Sequence, residues 1–138
     1  MEVSAFVDDY DEVAPIHGTT ADEMRIRDGA RGQPVHRWLA RDGRTVVATA
    51  TALLRPDSRR FLQFAGECTA VRPLVDAAAQ MFESPLHASA EKGSPLAQEL
   101  RRAGFATEVA SEDFEVEFAT ARRALRRAFL PVGFSLLP

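Results

Sequence analysis

The chain has 138 residues, 46% of them apolar and 27% charged, with a formal charge of −3. That suits one domain able to bury a real core and argues against a global basic field of the kind that draws nucleic acid. A single cysteine, Cys68, excludes an intrachain disulfide framework, and no apolar run approaches the roughly 18 residues of a membrane span. The acidic start, MEVSAFVDDYDE, lacks the basic segment of a signal peptide, so the expected compartment is the cytoplasm.

EVSAFV (residues 2–7) alternates weakly and predicts a first strand. YDEVAPIHG and TTADEMRIRDG predict two short helices closed by Gly18 and Gly29. Thr20 can cap the second, with Glu23 three residues on completing a capping box. VHRWLARDGRTVVATATALL predicts a hairpin about Arg41-Asp42-Gly43-Arg44, and RFLQFAGE adds a third strand after the turn RPDSRR. Residues 35–67 therefore read as an antiparallel meander.

The period then changes. From Pro73, apolar residues fall at Leu74, Ala78, Met81 and Phe82, the stripe of an amphipathic helix. A short strand is expected around Leu86–Ala90. Ser94 and Pro95 can open a last helix that shows Leu96, Leu100 and Ala103 on one face and stops at Gly104. FATEVA and FEVEFA about Ser111-Glu112-Asp113 predict a final hairpin. A helix between neighbouring strands implies a right-handed crossover, so the strands ending near Glu67 and starting near Leu86 are expected to be parallel neighbours. The fold class is α/β, a mixed sheet with helices on its faces.

This order, with AQELRRAGF before the last hairpin and Val71-Arg72-Pro73 after the fourth strand, resembles the GNAT family of N-acetyltransferases over residues 1–118. The resemblance implies an acyl-CoA N-acyltransferase-like fold, acetyl-CoA as cofactor, and an amine, small or on a protein, as substrate. In the family, V-x-P leads into Q/R-x-x-G-x-G/A, whose glycines close the backbone around the cofactor pyrophosphate. Here VRP runs straight into LVDAAAQMF, and no glycine occurs between Gly66 and Gly93. The resemblance thus leaves a reduced cofactor site at Val71 and Arg72, with acetyl-CoA bound weakly or not at all. A solvated Arg72 at a bare helix end is the commoner occurrence of such a residue.

A tyrosine four residues before the glycine often protonates the leaving thiolate in the family, and an asparagine often opens this helix. Here those positions hold Leu100, which transfers no proton, and Gly93. Leu100 and Phe105 read instead as the hydrophobic pair of a Schellman cap about Gly104. Glu67 stands where some members place a general base, although an exposed strand-end glutamate is the commoner reading. Cys68 reads as a buried apolar cysteine, and His17, His36 and His87 have no ligand spacing, so no metal site is expected.

Residues 119–138 form a separate segment. ARRALRRAFL predicts an amphipathic helix with Arg122, Arg123, Arg126 and Arg127 off its apolar stripe, and VGFSLL predicts a strand. Tandem members place a second domain there, so the segment is expected on its own domain or on the partner of a homodimer. Nucleic acid and membrane partners are not expected. Two functions remain: an acetyl-CoA-dependent N-acetyltransferase with a reduced cofactor site, and a non-catalytic association or regulatory module of the same fold.

Overall fold

The computed structural model describes residues 1–110 and 115–120. Seven strands form one sheet ordered β1-β2-β3-β4-β5-β7-β6. They are β1 Glu2–Ala5, β2 His36–Asp42, β3 Thr45–Leu54, β4 Arg60–Gly66, β5 Leu86–Glu91, β6 Phe105–Ala110 and β7 Glu115–Thr120. The helices are α1 Tyr10–Val13, α2 Ala21–Ala30, α3 Val71–Met81 and α4 Pro95–Arg102. Every pairing is antiparallel except β4 with β5, which is parallel and joined by α3, as the crossover argument expects.

The two sheet faces follow from alternation. Ala48, Ala50 and Ala52 of β3 point to one face with Trp38, Leu62, Leu86 and Ala88, and α3 and α4 close over them through Val71, Leu74, Val75, Ala78, Ala97 and Leu100. On the other face, Val13, Ala14 and Met24 from α1 and α2 pack on Leu39 and Val46. That second layer is pinned by a buried polar group. The Arg37 guanidinium donates to both Asp28 carboxylate oxygens, at 3.0 and 3.1 Å, and to Thr51 Oγ1 at 2.8 Å, while Tyr10 donates to Asp28 at 2.9 Å. The pairing satisfies the charges as α2 covers them.

Several boundaries differ from expectation. β1 stops at Ala5, not Val7. α2 carries Gly29 inside it and ends at Ala30, with the left-handed turn at Gly32. Thr20 caps it as foreseen, accepting from the Glu23 N–H. α3 begins at Val71, not Pro73, because a 3-10 turn at Cys68–Ala70 leads directly into it. Pro73 still falls in the first turn, where an N–H has no partner within α3. The buried stripe is Val71, Leu74, Val75 and Ala78, one turn earlier than expected, and Met81 is exposed. β7 reaches Thr120, so the sheet runs past the expected boundary at 118. The arginine helix and the apolar tail lie outside the described residues. No helix among the described residues is long and apolar enough to cross a membrane.

Candidate functional site

The parallel pair β4–β5 is joined only at its start, Arg60 opposite Leu86 and Phe61 opposite His87. Beyond that point the strands part, while β4 stays paired with β3 through Ala48–Gly66. The β4 edge from Leu62 to Gly66 therefore faces away from β3 without a strand beside it, among the described residues. An edge of this kind presents backbone donors and acceptors to whatever lies alongside.

Gly66 holds β4 to β3 at this place. Its φ is +91°, and a Cβ there would overlap the Val47 carbonyl oxygen and sit 2.7 Å from Ala48 Cα. Val47 is the extra residue of a bulge, since Ala40 pairs with Ala48 and Arg41 with Val46. Its carbonyl accepts the Glu67 N–H at 3.0 Å.

A cleft of about 140 Å³ opens beside the end of β4, lined by Ala48, Thr49, Phe64, Ala65, Gly66, Glu67, Cys68, Val71, Leu74 and Leu96. Phe64, Val71, Leu74 and Leu96 make it largely apolar. Glu67 is exposed and its carboxylate does not cap the turn that follows, while Cys68 is half-buried. Thr49 is fully buried, and its Oγ1 lies 2.7 Å from His17 Nε2. Burial, aided by the Arg37 charge, pushes the His17 imidazole below its ordinary pKa.

Of the residues singled out from sequence, Glu67, Cys68 and Val71 meet at this cleft. Val71 does so as a core residue, with 1% of its surface exposed. Arg72 points away as an exposed residue of the first turn of α3 and does not line the cleft. Leu100 is also outside it, fully buried under α4 in one core cluster with Phe105. The Gly104 N–H donates to the Arg101 carbonyl at 3.1 Å, one of the two backbone bonds of the expected cap. Among the described residues there is no group of three metal-ligating side chains.

Part of the backbone between β4 and α3 is already committed, and the N–H groups of Cys68 and Thr69 have no backbone partner among the described residues. The Glu67 N–H bonds Val47, the Ala70 N–H bonds Glu67, the Val71 N–H bonds Cys68, and Pro73 has none. One residue, Glu67, separates the strand from the helical turn. Sequence reading missed Gly66, Phe64 and Leu96. Only Gly66 carried a local signal, since a glycine at a strand end often marks close approach of another backbone.

Comparison with known proteins places the architecture. No protein-family model matches the sequence, and no curated protein matches it either. Solved structures do match. An N-acetyltransferase from Staphylococcus aureus Mu50 superposes with a TM-score of 0.67 at 10% identity, over 88% of this chain and 97% of that one. A GNAT-family acetyltransferase from Bacillus cereus ATCC 10987 gives 0.62 at 16% identity, over 86% and 95%. An aminoglycoside 6′-acetyltransferase of type Ii gives 0.67 at 11% identity, over 88% and 97%. At such identities the likeness establishes the fold, and the fold is that of the GNAT N-acetyltransferases.

Proposed function

We propose that this chain, which has the GNAT fold, binds an acyl thioester of the acetyl-CoA kind in the cleft beside β4 and serves its transfer to an amine. The observation that carries this reading is an apolar cleft beside the end of β4, where β4 has parted from β5, the one parallel pair among the described strands. An extended arm that contains amides can lie along Leu62–Gly66 as a short added strand, with its donors and acceptors met by backbone. Phe64, Leu74 and Leu96 would cover its methylene groups and exclude water.

The bound thioester supplies an activated acyl group, and the protein supplies position and a proton acceptor. Glu67 stands at the mouth of the cleft, exposed to an arriving amine, and its carboxylate can take the amine proton directly or through a water. Nothing in the cleft matches the tyrosine of the family, since Leu100 is buried elsewhere. That burial favours a second reading, in which the domain retains the fold for association alone.

Calorimetry with acetyl-CoA separates the two. The proposal expects a dissociation constant on the order of 100 μM, because the phosphates lack a glycine cradle. It further expects Glu67→Gln to bind acetyl-CoA equally while losing transfer to amines. An absence of binding at about 1 mM would leave the association reading standing.

A further inference from the structure

The two halves of a CoA thioester meet this protein on unequal terms. The pantetheine arm finds an open strand edge and an apolar cleft lined by Phe64, Leu74 and Leu96. The phosphate end finds a strand-to-helix connection of one residue, where the N–H groups at 67, 70 and 71 already serve backbone carbonyls and only those at 68 and 69 are left in the 3-10 turn. No glycine between Gly66 and Gly93 lets the backbone wrap an anion. The residue at the cleft mouth is Glu67, whose carboxylate offers a phosphate no donor, and the exposed Arg72 lies outside the cleft lining.

We infer that the donor site recognises the S-acyl-pantetheine arm alone and that the nucleotide of CoA contributes nothing to its affinity. The inference rests on the reading of the cleft as an acyl-donor site and sharpens it to a ligand class. Any thioester that presents the arm fits on the same terms, whether the arm ends in a nucleotide or, as in a protein-borne phosphopantetheine, in a single phosphate. Charge plays no part in holding such an arm, so its binding is insensitive to salt.

The test is calorimetric comparison of acetyl-pantetheine, acetyl-phosphopantetheine and acetyl-CoA on the full chain, with adenosine 3′,5′-bisphosphate as competitor. The three donors are expected to bind within about threefold of one another. The bisphosphate should not displace acetyl-CoA, and acetyl-CoA affinity should change less than about twofold between roughly 50 and 500 mM NaCl. Acetyl-CoA binding more than about tenfold tighter than acetyl-pantetheine would overturn the inference while leaving the proposed function intact. Displacement by the bisphosphate would do the same. Failure of all three donors to bind at about 1 mM would overturn both.

Discussion

A side chain at position 66 has nowhere to go. The glycine there combines a left-handed φ of +91° with a Val47 carbonyl in the space a Cβ would fill. Gly43, at the β2–β3 turn, has φ +63° but open space around it. The pair separates two costs. Gly43→Ala should lose about 1–2 kcal/mol from backbone conformation alone. Gly66→Ala adds a backbone collision and should lose more than about 3 kcal/mol, measured by urea unfolding. Equal losses would mean that β4 is not pressed on β3 as described. Glu67 was singled out in the sequence because it carries chemistry, whereas Cys68 was read as buried and is half-buried. Gly66 carried only the signal of a glycine at a strand end, since its necessity depends on the bulge at Val47 in another strand, and Leu96 read as part of a helix face.

Among elements, α2 illustrates what spacing conceals. Its register shows a capping box and a glycine, and both the glycine stop and the buried anchor were misread or missed. Gly29 has open space around it and sits inside the helix, which ends two residues before the left-handed Gly32. The anchor is Asp28, whose side chain is 8% exposed against Arg37. Burial pulls the Asp28 carboxyl upward, but hydrogen bonds from Arg37 and Tyr10, with the Arg37 charge, hold it below its ordinary value. A carboxyl lowered in the fold stabilises fully above its unfolded pKa of about 3.9 and loses that contribution as pH falls through the folded value. Asp28→Asn should therefore flatten the fall in urea midpoint between about pH 4 and 2. Asp28→Ala leaves Arg37 buried without its partner and should cost about 3–5 kcal/mol at neutral pH. On α4, where the spacing was read correctly, Leu100→Ala should cost about 2–5 kcal/mol. Leu100→Tyr should create no transferase, because its hydroxyl would enter the core and not the cleft; acetyl transfer by that variant would show that this face of α4 reaches the donor.

At the scale of the whole molecule, element order was enough to predict the mixed sheet, the meander and the parallel β4–β5 pair, because each rests on local period and the handedness of crossovers. The parting of β4 from β5 was not legible. No residue of β4 announces it, since the pairing with β3 runs on regularly past the point where β5 leaves. The homodimer expected from the apolar segment 132–137 stands as a proposal at this scale. Light scattering on the full chain at about 100 μM should report a dimer, and deletion of residues 131–138 should give a monomer; a full-length monomer at that concentration would dismiss the idea. The account turns on the cleft, and the most direct test of it is a backbone-amide NMR titration with acetyl-CoA. Shifts confined to Leu62–Glu67, Cys68–Val71 and the start of α4 at Leu96 are the expected result. Saturating shifts elsewhere, or none at about 1 mM, would contradict the assignment of the cleft beside β4 as the donor site.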